Sequence, residues 1–266
     1  MVDQVPPCLT HIATPLRHSA TRSVLLLLFR PAGKRATVPV LSGASNVVVV
    51  GGTDGIGLEL VLQCVANAEA VQTPGTVVIV GRKSLDELFA KFRTDPAVCA
   101  LFAKCKAPAS ISGPHLDVRY VQVDVSLPNC GVVLAELLQG IPVDVLVYAA
   151  ADGWVGPLLR ETEESIRKTV ATNFTGFALI AKHIIRAMLA TEKGGAKTSA
   201  ANHSASKTKK VVVLSSVQST RPTPMFATYT ATKAAIDSFV WSLSTELAGT
   251  MVRLFLRFVV VFFFYA

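Results

Sequence analysis

The chain alternates short runs of β-branched apolar residues with longer stretches of helical period. Residues 47–50 are all Val, an unbroken apolar run of the kind that forms a strand covered on both faces. A glycine-rich turn follows, then a helical pattern over 56–67. Further strands are predicted over 76–80, 118–123, 143–148 and 211–214. Helices are predicted over 85–92, 132–138, 162–170, 174–189 and 227–247. This alternation predicts the α/β class: a Rossmann-type doubly wound parallel sheet, in a single domain with helices on both faces. Residues 252–255 are a candidate sixth strand. Residues 192–210, rich in Lys, Ser, Ala and Gly, read as a flexible loop.

The flanks differ from this pattern. Residues 1–45 carry no acidic side chain after Asp3 and are rich in Arg, Ser and Thr. They are expected to be either an organellar targeting segment or a disordered extension. Residues 46–250 form the nucleotide-binding domain. Residues 251–266 are almost wholly apolar, with Arg253 and Arg257 the charged exceptions and Phe262, Phe263 and Phe264 in succession. They are expected to be an atypical tail. Neither the six-residue apolar run 24–29 nor residues 258–266 are long enough to span a bilayer as a helix. Membrane association is not expected.

Charge changes the picture less than its total implies. The net charge is +8. The extension and the 192–210 loop together carry all of it, and the rest of the chain is balanced. Basic residues interleaved with aromatics on a folded face, the mark of a nucleic-acid binder, are missing, so no nucleic-acid partner is expected. The five cysteines show neither CxxC pairs nor zinc-ligand spacing, and no metal is expected. Scattered thiols of odd number point to a reducing compartment. The expected location is the cytoplasm, with a mitochondrion or other organelle as the alternative if the extension is a targeting signal.

Candidate chemistry begins in the turn after the first strand, Gly51-Gly52-Thr53-Asp54-Gly55-Ile56-Gly57. Gly51 suits a tight turn, Gly55 the close approach of a pyrophosphate, and Gly57 close helix–strand packing. The helix N-terminus would then face the phosphates. The alternative is a plain strand-to-helix turn. Arg82 directly follows the second strand, where it suits the 2′-phosphate of NADP and no carboxylate stands to bind the free ribose of NAD. Asp54 opposes that reading. NADP(H) is favoured over NAD(H). Asp124 ends the third strand, as an acceptor for the adenine amino group or as an ordinary Asp opening the turn before Pro128.

Tyr229 and Lys233 lie four apart in a predicted helix and so share one face. An ammonium near a phenol lowers its pKa, and a Tyr–Lys pair can exchange a proton with an alcohol or carbonyl oxygen. Ser216 ends the fifth strand, on the sheet edge where ligands bind, with Ser215 as its local competitor. These residues, with Asn173, occur in an order and spacing that resemble the short-chain dehydrogenase/reductase family over roughly 46–250. The resemblance implies an NAD(P)(H)-dependent oxidoreductase interconverting a small-molecule carbonyl and an alcohol. Tyr229 would be the acid/base, Lys233 would hold the ribose and tune Tyr229, Ser216 would orient the carbonyl, and Asn173 would support a water bridging to Lys233. It also implies a homodimer or homotetramer built on the helix carrying Tyr229 and the helix starting near Phe174, with Phe239 and Trp241 as interface or core residues. The chain departs from the family at Tyr148-Ala149-Ala150-Ala151, where the family has Asn-Asn-Ala-Gly, and after Gly249. The second expectation is therefore a catalytically impaired nucleotide-binding or interaction protein of the same fold.

Overall fold

The computed structural model describes residues 46–71, 74–106, 116–194 and 208–259. The basic extension, most of the 192–210 loop and the three consecutive phenylalanines lie outside the described residues. Six strands form one sheet in the order β3-β2-β1-β4-β5-β6. They are β1 (Asn46–Val50), β2 (Gly75–Gly81), β3 (Leu116–Gln122), β4 (Val145–Tyr148), β5 (Lys209–Ser216) and β6 (Val252–Val259), and every pairing is parallel. The order reverses between β1 and β4. In such a sheet this is where a crevice opens beyond the carboxyl ends of the strands.

The Val run explains the two-layered core. Val48 and Val50 point to one face and Val47 and Val49 to the other, and all four are buried. The first face packs under α4 (Cys130–Leu137), α6 (Gly176–Gly194) and α7 (Ala227–Glu246). The second packs under α1 (Gly55–Val71), α2 (Leu85–Phe92) and α3 (Pro96–Lys106). A further helix, α5 (Glu163–Val170), leads through a π-helical turn (Ala171–Thr175) into α6. The 163–191 run is apolar and long enough to match a membrane span. Its apolar residues Phe177, Ile180, Ile184 and Met188 are buried in the first core.

Local signals set the helix ends. Ser84 caps α2 in a capping box with Glu87, and Thr162 caps α5 through the Ser165 amide. The sequence pattern missed α3. Its signal is present, with Asp95 accepting from the Val98 amide, Pro96 opening the helix, and Val98, Leu101 and Phe102 buried. The candidate strand at 252–255 is longer than expected. It pairs with β5 from Val252 to Val259 and so forms the sheet edge itself. On the amino-terminal side of the sheet, Lys209 donates to Asp144 at 2.8 Å, both side chains buried, and Asp144 also accepts from the Asn46 amide.

Candidate active site

The carboxyl ends of β1, β2, β3 and β4 enclose a cavity of about 360 Å³. Gly51, Thr53, Asp54, Gly55, Ile56, Arg82 and Asp124 all line it. Gly57 lies beneath. Gly51 has φ +79°, and a Cβ there would stand 2.5 Å from the Ala150 amide nitrogen. A Cβ on Gly57 would stand 2.1 Å from the Gly51 carbonyl oxygen. Only glycines let this turn close against β4 and α1. Gly55, with φ +49°, opens α1 in a backbone conformation that favours glycine, and a Cβ there would meet only open space. A dinucleotide fits this lining, with the positive end of α1 turned toward the place of a pyrophosphate.

The charges lining the cavity balance in number, Arg82, Lys83 and Lys91 against Asp54, Asp124 and Asp152, with Asp152 ion-paired to Lys168 at 3.1 Å. Asp54 is ion-paired to Lys91 and also accepts from the Gly55 amide, so its charge is largely compensated. Asp124 forms the turn read from the sequence: one carboxylate oxygen accepts from the Ser126 amide and hydroxyl, and the residue also lines the cavity. Burial pushes its carboxyl pKa up, but the Ser126 hydrogen bonds and the Arg82 and Lys168 charges outweigh that and hold it below the usual range.

A second cavity, of about 260 Å³, lies alongside. Ser216, Gln218, Phe226, Tyr229 and residues 151–155 line it, and Ala151 and Asp152 belong to both cavities. Ser216 and Tyr229 thus face one space that shares a wall with the nucleotide cradle. The two adjacent serines separate cleanly. Ser215 donates to Asp237 on α7, whereas the Ser216 oxygen accepts from the Gln218 amide. Burial raises the Tyr229 pKa above its ordinary value, and the neighbouring Ser216 hydroxyl opposes the shift.

Lys233 is buried, and its ammonium donates to the Leu214 carbonyl at 2.8 Å and stands 5.5 Å from the centre of the Tyr229 ring. Burial lowers its pKa to about 8, against the pull of Asp237. Asn173, with no exposed surface, sits in the π-helical turn. Its amide donates to the Asp152 carbonyl at 2.8 Å and to Thr232 Oγ1 at 2.9 Å, and its oxygen accepts from the Asp152 amide at 2.7 Å. Both amide protons are committed. A water bridging toward Lys233 has only the remaining Oδ1 lone pair or the backbone to bind.

Residues 152–156 form a strap, of which 152–155 line the second cavity. A Cβ on Gly153 would stand 2.9 Å from the Tyr229 ring, so the strap lies directly on the tyrosine. The Gly156 amide donates to the carbonyl of Met225, which is held at φ 72°, in the left-handed region costly for a side-chain-bearing residue. That bond ties the strap to the turn presenting Phe226.

A family model described as short chain dehydrogenase matches residues 103–256. The chain belongs to the short-chain dehydrogenase family. A short chain dehydrogenase of Pseudocercospora fijiensis is 30% identical over 212 residues, covering 79% of this chain and 57% of that protein. Retinol dehydrogenase 8 of Bos taurus is 27% identical over 205 residues, covering 76% of this chain and 54% of that protein. The chain thus spans about half the length of these relatives. Among solved structures, a 3-oxoacyl (acyl-carrier-protein) reductase of Agrobacterium tumefaciens with NADP bound superposes with a TM-score of 0.59 at 22% identity, over 81% of this chain and 69% of its own. Serine dehydrogenase of Escherichia coli gives a TM-score of 0.56 at 20% identity, over 79% of each chain. These structures share the fold of the present short-chain dehydrogenase.

In this short-chain dehydrogenase the residues that sequence reasoning missed are Lys91, Thr232 and Asp237. Lys91 and Asp237 sit on helices with no local motif, and only the folded chain brings them to the site. Of the two aromatics expected at an interface or in the core, Phe239 packs edge-on to Phe174 and Phe177, while Trp241 is 73% exposed.

Proposed function

We propose that this chain reduces a small-molecule carbonyl to an alcohol, with Tyr229 as proton donor and NADP(H) favoured over NAD(H). One observation carries the reading: a tyrosine kept protonated by burial shares a cavity with Ser216, and that cavity adjoins the nucleotide cradle at Ala151 and Asp152. The Ser216 oxygen already accepts from the Gln218 amide, leaving its own proton for the substrate carbonyl oxygen. Tyr229 gives its proton to that oxygen as negative charge develops there. A reduced nicotinamide nucleotide held in the cradle would supply the hydride that the carbonyl carbon takes up. The buried Lys233 ammonium then steadies the phenolate left behind, until solvent restores its proton. The strap over Tyr229 limits water at the reacting atoms.

The preference for NADP(H) is supported by Arg82 and Lys83 at the end of β2 and by Lys91, which offsets Asp54. A homodimer through α6 and α7 is supported by the exposed Trp241 and by an apolar groove of Ile185, Leu189, Phe239 and Leu243. The test is oxidation of NADPH and NADH by the purified protein with a panel of ketones and aldehydes, beside calorimetric titration with both nucleotides. NADPH turnover that Tyr229→Phe removes supports the reading. Nucleotide binding with no turnover across the panel in a folded sample would instead favour a binding or interaction protein.

A further inference from the structure

Lys233 is 3% exposed, so its charge is held in a poorly solvated place. Its ammonium donates to a neutral carbonyl, that of Leu214. Buried ammonium groups lose their proton readily unless a carboxylate is near. Beside it stand the Tyr229 ring, from its own helix, and the Leu214 carbonyl of β5, and neither is a carboxylate. Asp237 lies four residues further along α7, the spacing that brings side chains onto one helix face, and its charge opposes the lowering of the Lys233 pKa. Asp237 is in turn fixed by the buried Ser215 hydroxyl, which donates to its Oδ1.

We propose that Asp237 is a positioning residue of the active site, pinning α7 to the end of β5 through Ser215 and supplying the counter-charge to the Lys233 ammonium. The two roles belong together. Lys233–Leu214 and Asp237–Ser215 are successive tethers between the same helix and strand. They hold Tyr229, one turn before Lys233, beside Ser216, the residue after Ser215. A carboxylate free to swing into solvent would provide neither the alignment nor a steady field. The inference rests on the reading of Lys233 as part of the proton chemistry, and the two can fail separately.

The decisive measurement is the titration of Lys233 in the full chain. Lysine labelled at Cε and Nζ is followed by NMR from pH 6 to 11, the Lys233 signal being assigned by its loss in Lys233→Arg. In Asp237→Asn, which keeps an acceptor for Ser215, the midpoint is expected to fall by about one pH unit, a tenfold change in the amine-to-ammonium ratio. In Ser215→Ala the carboxylate remains but loses its anchor, and the midpoint should fall part of that distance. The alkaline limb of kcat/KM should move down with the midpoint in each variant. A midpoint that stays at the wild-type position in either folded variant overturns the proposal, whatever happens to the rate. A midpoint that falls while the pH–rate profile stays put supports the counter-charge and refutes instead the part given to Lys233 in the reaction.

Discussion

Replacing Asn173 tests how the site is held together. The side chain makes three hydrogen bonds from a fully buried position, two to the Asp152 backbone and one to Thr232. Their directions are fixed by chemistry. Thr232 spends its only hydroxyl proton on the Tyr229 carbonyl at 2.7 Å, so it can only accept from residue 173. The Asp152 carbonyl also only accepts. Asn173→Ala removes all three bonds and leaves a small void. At roughly 1 kcal/mol for each bond, with a further penalty for partners left dry, the loss is about 3–4 kcal/mol. Asn173→Asp is the sharper probe, because it preserves size and sets a carboxylate against two acceptors. Such a carboxylate would have its pKa raised in the folded protein, so its cost is greatest above that pKa and eases as acid neutralises it. The assay is urea unfolding followed by circular dichroism, at pH 5 and pH 8. The alanine variant should lose stability about equally at both. The aspartate variant should lose at least as much at pH 8 and recover part of it at pH 5. An aspartate variant as stable as wild type at pH 8 refutes the assigned amide orientation and the role of Asn173 as the tie between strap and α7.

Further outcomes bear on other parts of the molecule. Tyr229→Phe should lose at least a hundredfold in kcat while nucleotide affinity and unfolding midpoint stay near wild type, because the proton is lost and the packing is kept. Arg82→Ala should weaken NADPH by about 10–100-fold in Kd and leave NADH within about twofold, read by calorimetry, as expected for a charge-assisted contact to phosphate. Gly153→Ala should raise KM and reduce kcat together, since the added methyl meets the Tyr229 ring at 2.9 Å, with little change in global stability. Lys209→Met removes the buried 2.8 Å ion pair with Asp144, which keeps its bond from the Asn46 amide, and should cost about 2–3 kcal/mol in a urea titration without altering nucleotide affinity.

What the sequence made legible followed from periodicity and local chemistry. The Val run, the glycine turn and the four-residue spacing of Tyr229 and Lys233 each signal their structure within a few residues. The sheet order and the meeting of Ser216 with Tyr229 follow from the same signals, because parallel strands joined by helices leave few topologies. Other features needed the folded chain. Ser215 and Ser216 are equivalent in one dimension, and only the strand's alternation sends one to Asp237 and the other to the pocket. Asp54 opposes a phosphate by position, yet a lysine 37 residues away compensates its charge. The α3 helix is short and Ala- and Cys-rich, and its buried spacing of Val98, Leu101 and Phe102 is too brief to stand out beside the Asp95-Pro96 turn signal.

The departure at Tyr148-Ala149-Ala150-Ala151 has a physical reading in the same terms. Polar side chains are absent from this stretch after Tyr148, but the tyrosine reaches further than an asparagine. Buried in the first core against Phe177, Tyr148 donates its hydroxyl to the Thr172 carbonyl. That carbonyl belongs to the π-helical turn, one residue before Asn173. Gly176, just beyond the turn, leaves room for the hydroxyl, since a Cβ there would stand 2.9 Å from it. Tyr148 thus gives the π turn a side-chain donor from β4. The end of β4 therefore still holds the turn that aims Asn173 at α7, and a phenol does it from below where short polar side chains would act from the loop. The alanines that follow then have one remaining task, to stay small: Ala150 lies against Gly51, and Ala151 forms the wall shared by the two cavities.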